Sequence, residues 1–180
     1  YKVIDSDLYA AIPNNDVRKA QFFNNPSNGR HLQPLFKFFA SDQIGGASQT
    51  VTADYVYMRV EEAFLLNAEA NARIPNEAAA RTSLKALLDL RVPSSAYVDA
   101  LTGQALRDEI YLQTRIELWG EGFRFYDLKR LNQPLDRTGA NHVQTVINNV
   151  YEVPAGDNRW QWLIPLDALN ANPLLEQNPI

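Results

Sequence analysis

The chain has 180 residues, 46% hydrophobic and 11% aromatic, which suffices for one packed domain or for one domain and a short appendage. Its formal charge of −4 argues against a nucleic-acid binder, which needs a basic face. Cysteine is absent, which excludes disulfides and thiol chemistry, and His31 and His142 lie far apart without a zinc-ligand pattern.

Residues 1–51 show little periodicity and many turn formers, among them Pro13, the stretch 24–29 and Gly45-Gly46. The apolar residues of this segment are too numerous for a free tail; they are Phe22, Phe23, Leu35, Phe36, Phe38 and Phe39. We therefore predict an ordered but irregular segment held by its aromatic side chains, in which residues 35–39 are a candidate short strand.

Two helices are predicted next, over residues 54–73 and 77–90. The first has apolar residues at helical spacing, and Pro75-Asn76 interrupts the pattern before the second, which stops at Pro93. The short connection predicts antiparallel neighbours, a TPR-like hairpin, although no repeat of fixed length is present. Glu69, among alanines, is expected to be partly buried and to pair with Arg91.

A third helix is predicted from Thr102 or Gly103 to Glu117, and a short fourth helix over residues 123–131. Gly120 and Gly122 separate the two, because each interior glycine costs a helix about 1 kcal/mol relative to alanine. Residues 136–162 are loop-rich, with residues 143–153 forming either a strand or extended chain, and residues 165–169 predict one helical turn.

These elements predict a mainly α fold of TPR-like antiparallel helix pairs with long irregular loops. We treat residues 1–180 as a single region with three parts. These are the irregular aromatic-rich segment 1–51, two helical hairpins over 52–132, and the loop-rich segment 133–180.

The stretch 115–130 concentrates opposite charges among aromatic residues. Its charged members predict a structural network that fixes the helix junction, because residues three or four apart on a helix can pair; they are Arg115, Glu117, Glu121, Arg124, Asp127 and Arg130.

A glycoside hydrolase is the catalytic alternative, since Glu117 and Glu121 are a carboxylate pair. The acid of such a pair needs a raised pKa, whereas the nearby Arg115 and Arg124 would lower it. We therefore predict ionised structural carboxylates and no catalytic residue. The chain also has no phosphate-binding glycine motif and no nucleophile elbow, so no cofactor is predicted.

Three tryptophans could stack on a sugar. Trp119 lies on the apolar side of the third helix and is predicted to be core. Trp160 and Trp162 alternate in a predicted extended run and should point the same way. They are weak candidates for a ligand platform if that face is exposed; the alternative is that they cap the helical core.

The stretch from Glu117 to Arg130 resembles the E-L-x-x-E-G-x-R-x-x-D-L-x-R signature of the SusD/RagB family, the surface glycan-capture lipoproteins of Bacteroidetes. Other segments resemble the family in the same order over roughly residues 14–180. They are Asp16-Val-Arg18 (D-x-R), Lys37-Phe38 (K-[YF]), residues 59–71 (R-x-x-E…A-E-A-x-N), residues 84–91 (a helix ending in arginine), Leu163-Ile-Pro165, Asn172-Pro173 and Gln177-Asn-Pro179.

The resemblance implies non-catalytic capture of oligosaccharides, or of peptides in some relatives, and delivery to a TonB-dependent, SusC-like transporter. It also implies a place on the extracellular face of the outer membrane, held by lipid on an N-terminal cysteine. Family members are longer, so we expect this chain to be a C-terminal part and the ligand residues to precede it. The alternative from another class is a TPR-like protein-interaction adaptor, which would not account for the ordered motifs.

Overall fold

The computed structural model describes residues 3–27, 29, 31–35, 37 and 57–179. The described part is mainly helical, as predicted. Its α-helices are α1 (Ser6–Ala11), α2 (Val60–Arg73), α3 (Glu77–Leu88), α4 (Gly103–Glu117), α5 (Phe123–Arg130) and α6 (Leu166–Ala171). Short 3-10 helices cover Val17–Gln21, Ala96–Ala100 and Asn158–Trp160, and two short strands are β1 (Leu135–Asp136) and β2 (Glu152–Val153). The chain forms two compact units, Tyr1–Glu121 and Gly122–Ile180.

The start of the first unit contains more regular structure than its sequence predicted. Asp5 caps α1, because its carboxylate accepts hydrogen bonds from the backbone N–H groups of Asp7 and Leu8, at 3.1 and 3.0 Å. A single bridge pairs Phe22 with Pro34. The predicted strand over 35–39 falls largely outside the described residues.

Phe22 has a clear packing partner within the chain. Its ring lies edge-on to Trp119, with 5.1 Å between centroids, and edge-on to Tyr9, at 6.0 Å. The buried cluster around these rings consists of Ile4, Leu8, Ile12, Phe22, Leu32 and Ile116. Trp119 is therefore partly buried and packs against the core, near where it was predicted, and the cluster's residues between positions 4 and 32 pack against the end of α4.

Helices α2, α3 and α4 pack against one another. Small residues allow α2 and α3 to approach closely, since Ala68 and Ala80 are both fully buried. Midway along the two helices, the Ser83 hydroxyl donates a hydrogen bond to Asn67 Oδ1 at 2.5 Å. This pair is compatible with a TPR-like hairpin, which stays a prediction, and Leu106 and Ile110 of α4 are buried.

The first predicted helix begins later than expected. Residues 57–59 are not helical, α2 starts at Val60, and residues 54–56 lie outside the described part. Met58, an apolar residue that fits the helical spacing of this stretch, is 77% exposed. The position of Met58 agrees with the helical spacing, but the residue is neither helical nor buried.

The second unit has a small core of its own. Leu128 of α5, Val153 of β2 and Trp160 are buried together, with Phe125, Leu135 and Val150 packed against them. Strands β1 and β2 are antiparallel, and Leu135 lies opposite Val153. The region 143–153 consists mostly of turns and ends in β2. Helix α6 confirms the predicted turn near Pro165. Helix α4 belongs to the first unit and α5 to the second. The predicted hairpin of these two helices therefore stays a prediction.

Candidate functional site

The carboxylate of Glu117, at the end of α4, is 5% exposed and is surrounded by three arginines. Its Oε1 accepts hydrogen bonds from Arg59 Nη1 and Arg91 Nη2, at 3.0 and 3.1 Å. Its Oε2 accepts from Arg18 Nη1 and Arg91 Nε, at 3.2 and 3.1 Å. A carboxylate has about four acceptor positions. The three guanidinium groups therefore fill all of them.

Arg18 reaches Glu117 from the 3-10 helix Val17–Gln21 and is itself buried. Asp16 holds its guanidinium with two parallel hydrogen bonds, from Nε to Oδ1 at 3.0 Å and from Nη2 to Oδ2 at 2.6 Å. Nη2 also donates to Gln113 Oε1 at 2.6 Å. The Asp16 carboxylate additionally accepts the backbone N–H of Arg18, so the D-x-R motif fixes both the side chain and the turn.

Arg59 and Lys37 extend the cluster from Glu117 to Glu121. Arg59 donates to both Glu121 oxygens, at 2.9 and 3.3 Å, and to the backbone carbonyl of Glu117 at 2.7 Å. The Lys37 ammonium lies 2.7 Å from Glu121 and 2.6 Å from the same carbonyl. Glu61 completes this edge, 3.0 Å from Arg91 and 3.6 Å from Arg59.

We call this set the Glu117 cluster; its members are Asp16, Arg18, Lys37, Arg59, Glu61, Arg91, Gln113, Glu117 and Glu121. Among these residues four carboxylates face four cations, so the charges of the cluster balance. The members come from the D-x-R turn, Lys37, the start of α2, the end of α3 and α4. The cluster therefore fastens segments that are far apart in sequence to one helix end.

The electrostatics of the cluster keep Glu117 ionised. Burial opposes the charged form, but the hydrogen bonds and charges of Arg91, Arg59 and Arg18 outweigh it and lower the pKa of Glu117 to about 2. Burial of the Lys37 ammonium lowers its pKa, against the opposing effect of Glu121. The hydrogen bonds from Arg91 to Glu117 outweigh burial and raise the pKa of Arg91.

This arrangement makes Glu117 a poor acid, base or nucleophile. A general acid must carry a proton near neutral pH, and a nucleophile needs a free lone pair directed at substrate. Glu117 carries no proton above its lowered pKa, and its acceptor positions are occupied. The geometry instead allows Glu117 to hold the segments that carry Arg18, Arg59 and Arg91 against the end of α4.

The structure corrects the partners expected for Glu117 and Glu121. Arg115 and Arg124 were the expected cations, whereas Glu117 and Glu121 are bound by Arg18, Lys37, Arg59 and Arg91. Burial lowers the pKa of Arg115, opposed by the charge of Asp5, and burial lowers that of Arg124, opposed by Asp127. Asp127 is buried and pairs with Arg130 at 2.7 Å.

The expected pairing of Glu69 with Arg91 is also corrected. Glu69 bonds Arg73 one turn later, at 2.8 Å, and Arg91 bonds Glu61 and Glu117. No interaction of Glu61 or Gln113 was predicted from the sequence. Gln113 was detectable in principle, because a polar residue on the buried side of a helix needs a hydrogen-bond partner.

The two candidate ligand tryptophans have different environments. Trp160 ends a 3-10 helix, is 7% exposed and donates its indole N–H to the carbonyl of Pro154 at 2.6 Å. Trp162 is 74% exposed. Both rings contact Phe125, at 5.6 and 5.9 Å between centroids. Trp162 is therefore the ring that presents a face to solvent.

Hydrogen bonds from the chain's last residues fix the backbone around Trp162. The Gln177 side-chain amide both donates to the carbonyl and accepts from the N–H of Ile164, at 3.0 and 2.8 Å. Asn178 Nδ2 donates to the carbonyl of Trp162 at 2.6 Å. The Gln-Asn-Pro motif thus clamps the segment that carries the exposed ring.

Among the residues that the structure describes, no helix has the length and apolarity required to cross a membrane. No group of three or more His, Cys, Asp or Glu side chains in this part of the chain is arranged to hold a metal ion.

A mainly helical chain, whose Glu117 cluster joins residues of the D-x-R, K-[YF], 59–71, 84–91 and E-L-x-x-E segments, points to one class of protein. The sequence model of the SusD family matches residues 12–180. The chain belongs to this family. A comparison with curated proteins found no match.

Solved structures of the same superfamily share the fold. A SusD superfamily protein from Bacteroides thetaiotaomicron is 26% identical with a TM-score of 0.79, covering 99% of this chain and 40% of its own. One from Bacteroides vulgatus is 24% identical with a TM-score of 0.70, covering 92% and 36%. A SusD-like carbohydrate-binding protein from Bacteroides vulgatus is 26% identical with a TM-score of 0.53, covering 74% and 28%. The chain thus spans well under half the length of these proteins.

Proposed function

We propose that the chain is part of a surface protein that captures oligosaccharides without cleaving them and delivers them to a TonB-dependent, SusC-like transporter. Such a protein acts on the extracellular face of the outer membrane, held there by a lipid anchor in the longer protein. Membership of the SusD family supports this proposal, as does a similar structure described as a carbohydrate-binding protein. A TPR-like adaptor would share the helix pair but not the family motifs.

One observation carries the non-catalytic part of the proposal. The acceptor positions of Glu117 are filled by three arginines, and its pKa is lowered to about 2. The neighbouring Glu121 is bound by Arg59 and Lys37. The carboxylate pair that suggested a hydrolase is therefore committed to holding the fold.

Trp162 is the first residue to test for ligand contact. It presents an exposed indole face. Asn178 donates a hydrogen bond to its carbonyl, and Gln177 holds the backbone of Ile164 two residues later. A rigid exposed aromatic ring can stack on an apolar sugar face at little entropic cost. Trp160 supports this ring from the core through their shared contact with Phe125.

Isothermal titration with oligosaccharides from starch, xylan, pectin and mucin tests binding, using both this chain and the longer protein that contains it. We expect binding of at least one glycan by the longer protein and no release of reducing ends. Binding of peptides alone would move the ligand class to the peptide-binding relatives. Release of reducing ends that is lost in Glu121→Gln would show an enzyme.

The role of Trp162 is tested by Trp162→Ala in the longer protein. Leu174→Ala is the matched control, because it removes an 89% exposed apolar side chain from the same unit without removing a ring. We expect Trp162→Ala to weaken glycan binding several-fold and Leu174→Ala to leave it unchanged. Equal effects of the two substitutions would contradict a stacking role.

A further inference from the structure

The second unit contains a pocket of about 220 Å³ between the end of α5 and the segment that follows β2. Its buried members are Leu128 and Trp160, which belong to the unit's core. The other lining side chains are mostly exposed and polar: Lys129, Asn132, Gln133, Asp157 and Gln161. The pocket thus combines an apolar floor from the core with a polar rim that faces solvent.

The chemistry of the rim suits hydroxyl groups. Asn132, Gln133 and Gln161 carry side-chain amides, each of which donates and accepts hydrogen bonds. A sugar hydroxyl also donates and accepts, so amides can pair with it in either direction. On the floor, the indole N–H of Trp160 is bonded to the Pro154 carbonyl, so the small part of this ring that is exposed offers carbon atoms to a ligand.

The two charged residues that line the pocket have opposite signs, so the lining itself carries no net charge. Lys129 contributes one positive charge and Asp157 one negative charge. Asp157 is held in place by Arg159, whose Nε and Nη2 each donate to one of its oxygens at 2.8 Å. Hydrogen bonds from Arg159 also lower the pKa of Asp157 to about 2, so it remains an acceptor. A charged ligand would meet a like charge among the lining residues, Asp157 in the case of an anion and Lys129 in the case of a cation.

The volume of the pocket suits a small ligand, such as one ring of an oligosaccharide. Sites for drug-sized ligands enclose about 300–1,000 Å³, whereas this pocket encloses about 220 Å³. We propose that it is a subsite for one neutral sugar ring, held by Gln133 and Gln161 at the rim and by Trp160 at the floor. This inference rests on the proposed function, since it places one unit of the captured oligosaccharide.

Saturation-transfer NMR of the 180-residue chain with glucose, galactose, mannose and N-acetylglucosamine tests the subsite. We expect transfer to at least one of these sugars, and at least tenfold weaker binding by the double variant Gln133→Ala/Gln161→Ala. Gln144→Ala is the matched control, since Gln144 is exposed in the same unit but does not line the pocket. Circular dichroism and thermal melting of each variant confirm that the fold is retained.

The outcomes separate this inference from the proposed function. Oligosaccharide binding that the double variant leaves unchanged overturns the subsite while the proposed function stands. Preference for glucuronic acid or glucose 6-phosphate over glucose overturns the neutral ligand class. Failure of every glycan to bind the longer protein overturns both.

Discussion

Replacing Glu117 with glutamine tests whether the Glu117 cluster holds the first unit together. The substitution keeps the size and shape of the side chain but removes its charge. It also turns one acceptor oxygen into an NH₂ donor that faces arginine N–H groups. Arg18, Arg59 and Arg91 then lose the carboxylate they share, in a place where Glu117 is 5% exposed.

The expected loss of stability is large. Breaking a buried ion pair from one side costs about 3–5 kcal/mol, because the remaining charges stay buried without compensation. For a chain of this length, each kcal/mol moves the melting temperature by about 2–4 °C. We therefore expect Glu117→Gln to lower the melting temperature by roughly 6–20 °C.

Thermal and urea unfolding, followed by circular dichroism, measure this effect. Glu176→Gln is the control, since Glu176 is an exposed glutamate in the second unit. A shift for Glu117→Gln no greater than that of Glu176→Gln would refute the structural role. It would also reopen the question of whether Glu117 is free to react.

Three further predictions follow from the same geometry. The pKa of Glu117 is lowered from 4.5 to about 2, so its stabilisation is complete above about pH 4.5 and disappears as the pH falls towards 2. Urea unfolding between pH 4.5 and 2 should therefore show a steeper loss of unfolding free energy in the wild type than in Glu117→Gln. Curves of unfolding free energy against pH that run parallel would contradict the lowered pKa. Arg18→Lys should lower the melting temperature by several degrees, because one ammonium group cannot reproduce the paired bonds to Asp16 together with those to Gln113 and Glu117. Arg73→Lys is the control, because Arg73 is half-exposed, and it should leave the melting temperature unchanged. Gly122→Ala should lower the free energy of unfolding by about 1–2 kcal/mol, because Gly122 has φ +96°, where a side chain with a Cβ is strained. Gly29→Ala is the control, since Gly29 has no left-handed φ. Equal urea midpoints for the two variants would refute the strain at Gly122.

The helices were predictable because their information is local. The apolar spacing of α3 and α4 and the glycines at 120 and 122 act within a few residues, so their bounds were correct to within about two positions. The start of α2 was misplaced because Met58 fits the helical period yet is exposed. Helix α1 was missed because six residues are too few for a clear period, and its Asp5 cap was not recognised.

The charge partners depended on the tertiary structure. The sequence alone predicted that Glu117 and Glu121 are ionised and paired with cations near the end of a helix. It suggested Arg115 and Arg124, which are near in sequence, whereas Arg18, Lys37 and Arg59 reach these carboxylates across 58 to 99 residues of chain. Local spacing fixes a helix because its hydrogen bonds join residues four apart. A buried carboxylate instead takes whichever cations the packed chain brings to it, and only the folded structure decides that.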